Sequence, residues 1–256
     1  MAKSRVQKNT FIDPKTGRIS IANAFGENLA VLLSEKIGVV YEKFDTKGFV
    51  HSVKREVAGK SYTQRIEIIA DLLREYLPQK YSEALTILTQ IFGPENEEET
   101  GMFTYFYWLM PVGKFIEKYG LDNFNISIKA LAEITKRSTG EYALRPYARK
   151  YPEKILAVCT KWAKNKNFHL RRLASEGLRP KLPWAPKLDT WIRNPKPVLG
   201  ILEILKEDKV RFVKKSVANH LRDWLKVAPK EAQKVVARWS KSKNEHTKWI
   251  LKHAQR

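Results

Sequence analysis

In residues 169–184, HLRRLASEGLRPKLPW, one carboxylate, Glu176, stands among four cations, Arg171, Arg172, Arg179 and Lys181, and the indole of Trp184 closes the run. A surface whose only task is to hold an anion gains nothing from a carboxylate, which repels the group the cations attract. Glu176 is therefore either half of a structural ion pair with a neighbouring arginine or a group that does chemistry beside a polyanion. Arg172 and Glu176 are four residues apart, so a helix would make them neighbours, a pairing worth only a few tenths of a kcal/mol. The arrangement returns in residues 210–224, VRFVKKSVANHLRDW, where Lys214 and Lys215 are followed by Asn219, Asp223 and Trp224. Spacing by four puts Lys215, Asn219 and Asp223 in one row. A simple ion pair explains Arg172 and Glu176 but not this recurrence of acid, indole and basic doublet.

The elements that must hold these residues read as helices throughout. Aligning Arg171 with Lys214 also aligns Leu178 with Leu221 and Arg179 with Arg222, a displacement of 43 residues, and residues 139–147, TGEYALRPY, share LRP with the middle copy at a displacement of 34. Intervals of this size fit stacked helix pairs of the HEAT type, in which the second helices line one concave, here basic, wall. Pro152, Pro195 and Pro229 each precede an apolar-periodic run, as suits a first helical turn. Helical spacing also runs through residues 18–45, 62–76 and 81–92, and short helices are expected over 123–136, 141–150, 152–164, 168–177, 186–193, 196–206, 209–226, 230–240 and 245–254. The fold expected is one all-α domain over 1–256, with N-terminal helices to residue 100 and HEAT-like repeats beyond. The acidic stretch ENEEETG, residues 95–101, reads as a solvated loop turned away from any nucleic acid. Phe103, Tyr107 and Trp108 read as core, with Lys114 and Lys118 on an exposed helix face.

Composition narrows the partner. The 256 residues carry 48 Lys and Arg against 27 Asp and Glu, a net charge of +21, which makes a polyanion the first candidate. A membrane surface is disfavoured, since no lipid-binding amphipathic segment and no run of about 18 apolar residues is present. MAKSRVQKNT lacks the apolar core of a signal peptide, so a cytoplasmic protein is expected. Cys159 is the single cysteine and reads as a small core residue. The five histidines show no metal-ligand spacing, and glycine-rich phosphate loops, HExxH motifs and nucleophile elbows are missing, so neither metal nor cofactor is expected.

Residues 135–147 (TKRSTGEYALRPY), 171–185 (RRLASEGLRPKLPWA) and 213–226 (VKKSVANHLRDWLK) resemble the three signature blocks of the AlkC-type DNA alkylation repair glycosylases, relatives of the AlkD group. Residues 108–120, WLMPVGKFIEKYG, resemble the same family. The resemblance implies a HEAT-like solenoid gripping duplex DNA in a bacterial cytoplasm, as a monomer. It also implies removal of N3-alkylated purines, chiefly 3-methyladenine, without flipping the base into a pocket. Its cleft residues fall, by motif position, on Glu141, Glu176, Trp184 and Asp223. The last block departs from the family, reading LRDWLK where LNDISK is more usual, so Arg222 and Trp224 are unusual and Asp223 is kept. No appended immunoglobulin-like domain of the kind some members carry is expected.

The chemistry accounts for those residue types. A 3-alkylated adenine already bears a positive charge and leaves readily, whereas the sugar left behind becomes an oxocarbenium cation. Carboxylates near C1′ stabilise that cation or orient the attacking water, and an indole offers it a negative π-face. On this reading Glu176 and Asp223 flank the sugar, Trp184 packs on the deoxyribose and Glu141 supports them. Arg171, Arg172, Arg179, Lys181, Lys214, Lys215 and Asn219 contact the DNA. With no helix-hairpin-helix lysine nucleophile evident, a monofunctional enzyme leaving an abasic site is expected. Two non-enzymatic readings stand beside it. A HEAT-like scaffold for damaged or branched DNA would keep the arginines and need none of the acids; a solenoid binding an acidic protein is the other.

Overall fold

The structure, a computed structural model, describes residues 20–101, 105–183 and 185–256. Among them all regular structure is helical, and the chain divides into two compact units, residues 1–95 with 101–138 and residues 96–100 with 139–256.

In the first unit a 3-10 turn, Ile21–Ala24, precedes α1 (Glu27–Val40), α2 (Thr46–Glu56), α3 (Tyr62–Tyr76) and α4 (Tyr81–Gln90). A second 3-10 turn, Tyr107–Leu109, leads into α5 (Met110–Tyr119) and α6 (Phe124–Thr135). Leu29, Leu33 and Ile37 recur at four-residue spacing along α1 and are fully buried, as are Ile69 and Leu73 on α3. The single helical run read over 18–45 is broken by Gly26, the N-cap of α1, and ends at Val40. α2, which was not read from the sequence, buries Phe49 and Val53, four residues apart on one face. Its start is set by Asp45, whose carboxylate accepts from the Gly48 N–H at 2.9 Å. Ser61 and Gln64 form a capping box on α3. Tyr107 and Trp108 are core, as expected, while Phe103 lies outside the described residues. Lys114 pairs with Glu117, and Lys118 reaches Glu67 and Asp71 of α3.

The second unit contains α7 (Glu141–Lys150), α8 (Pro152–Trp162), α9 (Phe168–Glu176), α10 (Asp189–Arg193), α11 (Lys196–Leu205), α12 (Arg211–Val227), α13 (Pro229–Trp239) and α14 (Glu245–Ala254). Three helix pairs stack: α8 with α9, α11 with α12, and α13 with α14. α12 packs between α9 and α14, and α11 touches both α8 and α13. This is the HEAT-like arrangement, in two rows. Pro152 and Pro229 each begin a first helix; Pro195 is the N-cap of α11, and Pro197 stands in its first turn.

The second helices begin at Asn167, Val210 and Asn244, intervals of 43 and 34 residues, and each start is made the same way. A polar side chain two residues earlier accepts from the N-cap N–H: Asn165 at 2.8 Å, Asp208 at 2.9 Å and Ser242 at 3.2 Å. The interval of 43 is thus a true repeat. The two LRP sequences are not equivalent, since Leu144–Arg145–Pro146 lies inside α7 and Leu178–Arg179–Pro180 follows the end of α9. The acidic stretch also has a structural task. Glu97, Glu98 and Glu99 are exposed, but Glu99 accepts from the Phe212 N–H in the first turn of α12 at 2.8 Å, and the Asn96 carbonyl lies 3.0 Å from Nε2 of buried His169.

Candidate active site

The acids singled out in the sequence meet in the second unit, in a chain of alternating charge. Glu141 opens α7, where a carboxylate favours the positive end of the helix. It accepts from Arg172 of α9 at 3.0 Å. Arg172 also receives Thr139 Oγ1 as an acceptor at 3.1 Å and lies over the Phe212 ring, 4.7 Å from its centroid. Its contact with Glu176, one helical turn on, is longer, at 3.8 Å. Glu176 Oε1 accepts from Arg179 at 2.7 Å, and Arg179 in turn reaches Asp223 of α12, Nε to Oδ2, at 2.7 Å. Ser216, one row along α12, donates to Glu176 Oε2 at 2.6 Å. Three carboxylates and two guanidiniums thus carry one net negative charge in this cluster.

Glu141 and Glu176 are buried, with 5% and 7% of their surfaces exposed, which makes the partners decisive. Burial pushes the Glu176 carboxyl up. Arg172 and Arg179, with the hydrogen bonds from Ser216 and Arg179, more than offset this and hold it below the usual carboxylate range. Burial acts the other way on Arg172 and Arg179, and their acids outweigh it, so both guanidiniums hold their protons more tightly than usual. Beneath them His220 is fully buried, stacked on Trp224 and 3.4 Å from the Ser175 hydroxyl. Burial, with the nearby Arg179 charge, pulls its imidazole down to about 3, so it is neutral at physiological pH.

The cations expected on DNA are placed less uniformly. Lys181 and Lys215 are exposed. Arg171 holds Asp208 through two bonds, at 2.6 and 3.2 Å, and donates to the carbonyls of Asn165 and Lys166, so it braces the turn before α9. Lys214 leans toward α14, 5.2 Å from the centroid of Trp249 and 3.4 Å from His246. Asn219 is half-buried and accepts from Arg222, which also donates to the His253 carbonyl at the end of α14. Trp184 lies outside the described residues. Among the described residues no group of His, Cys, Asp and Glu could hold a metal ion.

Three members of the site escaped the sequence reading. Ser216 precedes His220 and Asp223 by four and seven residues, a helical-row signal obscured by the more obvious row of Lys215, Asn219 and Asp223. Phe212 left no signal beyond its aromaticity. Arg145 was visible only as part of the LRP repeat.

A network in which acids and arginines alternate across α7, α9 and α12, set in stacked helix pairs, defines a helical-repeat protein. Residues 136–256 match the model of the DNA alkylation repair enzyme family. It is 38% identical over 233 residues to the uncharacterized protein YhaZ of Bacillus subtilis (strain 168), an alignment taking in 91% of this chain and 62% of that protein. In structure it is similar to the alkylpurine DNA glycosylase AlkC of Pseudomonas fluorescens bound to DNA containing an abasic site analog. The TM-score is 0.81 and the identity 32%, over 91% of this chain and 63% of that one. The chain therefore spans less than two thirds of either relative.

Proposed function

We propose that this protein is a monofunctional DNA glycosylase that acts on duplex DNA in the cytoplasm as a monomer. It would hydrolyse the N-glycosidic bond of alkylated purines, chiefly 3-methyladenine, without flipping the base. The observation that carries this reading is the Glu141–Arg172–Glu176–Arg179–Asp223 chain. Each of its acids is held by an arginine, and the acids outnumber those arginines three to two, in the blocks that resemble the family's. The bond between C1′ and the base nitrogen breaks with its electron pair going to the base, which cancels the positive charge that alkylation put there. The positive charge now on the sugar meets Glu176 and Asp223, with Trp184 against the deoxyribose and Glu141 holding Arg172. Water then bonds to C1′ and gives up a proton, leaving an abasic site. Fixed dipoles and charges of this kind need no reorganisation as the cation forms.

The pairing of every acid with an arginine also suits a scaffold that binds DNA without cutting it. Incubation with methylated duplex DNA and chromatography of the supernatant separates the two. Released 3-methyladenine supports the glycosylase; retention of the DNA with no released base leaves the scaffold.

A further inference from the structure

Arg145 is among the largest fully buried side chains, with 2% of its surface exposed, and its guanidinium meets backbone carbonyls. From α7 it donates to the carbonyls of Gly177 at 3.4 Å, Arg179 at 2.8 Å and Pro186 at 3.1 Å through Nε, with a second bond to Pro186 through Nη2. Burial, followed by the neighbouring Arg179 and Arg149 charges, draws it down to about 10, and it remains a cation at neutral pH. A buried cation so close to another is unfavourable unless its donors are filled, and here they are filled by one segment, residues 177–186. That segment is closed on itself by the Leu188 N–H on the Pro180 carbonyl. It starts where Gly177 lets α9 end against Leu144 of α7: a Cβ there would lie 2.6 Å from Leu144 Cδ2. It carries Arg179, whose side chain joins Glu176 to Asp223.

We propose that Arg145 is a positioning residue for the acid network: by holding the carbonyls of residues 177, 179 and 186 it fixes the backbone from which Arg179 spans Glu176 and Asp223. This rests on the glycosylase reading for its consequence but not for its geometry. Loosening the segment withdraws Arg179, leaving three carboxylates facing one guanidinium, and Glu176 then loses one of the two charges that offset its burial.

The test replaces Arg145 by Lys, with Arg145→Gln as a second variant, and follows the Glu176 carboxyl by carbon-13 NMR as pH is lowered. Circular dichroism reports the fold. The proposal expects folded variants in which Glu176 titrates about one unit or more higher, a tenfold shift in its protonation equilibrium. Single-turnover excision should fall by about tenfold or more, as a small misplacement in a catalytic group produces, with DNA affinity within about threefold of wild type. In an Arg179→Ala background, Arg145→Lys should add nothing, because both act through one group. Unchanged titration and rate in a folded variant overturn the proposal, and so does an additive effect in the double variant. If neither variant folds, Arg145 serves the fold alone. A wild-type protein that releases no base sinks the glycosylase reading, while the titration still decides the role of Arg145.

Discussion

Single side chains in the second unit divide into those that hold the site and those that the proposed function leaves to meet DNA. Ser216 belongs to the first group. Removing its hydroxyl leaves a buried carboxylate oxygen of Glu176 without its 2.6 Å donor. Ser216→Ala should therefore lower stability by about 1–3 kcal/mol, measured by urea unfolding, and raise the Glu176 carboxyl. Arg171 and Lys215 separate in the same way. Arg171 is committed to Asp208 and two carbonyls, so Arg171→Ala should cost stability and leave the salt dependence of DNA binding unchanged. Lys215 is exposed, and Lys215→Ala should reduce the slope of log K against log salt by about 0.9, one phosphate contact, with little change in unfolding. A slope that falls for Arg171→Ala and not for Lys215→Ala would reverse these assignments.

At the level of helices, the junction of α9 with α7 is the most constrained. A methyl group on Gly177 would meet Leu144 Cδ2 at 2.6 Å and the Leu173 carbonyl at 3.1 Å. Gly177→Ala should destabilise the unit by about 1–3 kcal/mol, as overpacking does, and slow excision through the displaced segment. A variant with wild-type unfolding and rate would mean that the junction yields freely. Much of this architecture was legible in the chain. Glu176 and Asp223 stand out because acids are rare in so basic a setting, Glu141 is found only by motif position, and the helices of the second unit follow from three- and four-residue apolar spacing. The repeat interval of 43 was readable from the aligned cations. Its cause, the Asn165, Asp208 and Ser242 turns, was hidden because three different residue types do the same work. Arg145 was hidden for another reason: an arginine that binds carbonyls leaves no paired acid in the sequence to betray it. α2 is a different case: Phe49 and Val53 stand four residues apart, as a helix requires, and that spacing was overlooked.

For the molecule as a whole, pH links the site to stability. His220 takes up a proton at about 6.5 when unfolded and at about 3 when folded, so over that interval the unfolded state binds the extra proton. Glu176 adds to this below its ordinary value of 4.5, being held lower in the folded protein. The stability these groups provide is fully present above about pH 6.5. It should decline as pH falls, by up to about 1.4 kcal/mol per pH unit for each proton, more steeply below pH 4.5. Urea unfolding at pH 7, 5.5 and 4 measures the decline, and His220→Gln should flatten its upper part. A wild-type stability that is level from pH 7 to 5 would contradict the burial of a neutral His220. The proposed function asks one thing of the acid network: that fixed carboxylates stabilise a cation that exists fully only as the glycosidic bond breaks. Asp223→Asn and Glu176→Gln therefore bear on rate far more than on binding. Single-turnover excision of 3-methyladenine from methylated duplex, with enzyme in excess, is the direct measurement. Each variant, folded and binding the duplex as wild type does, should excise about 10 to 1,000 times more slowly, about 1.4 kcal/mol for each tenfold. Excision at the wild-type rate by both folded variants would contradict the claim and return these acids to a structural role.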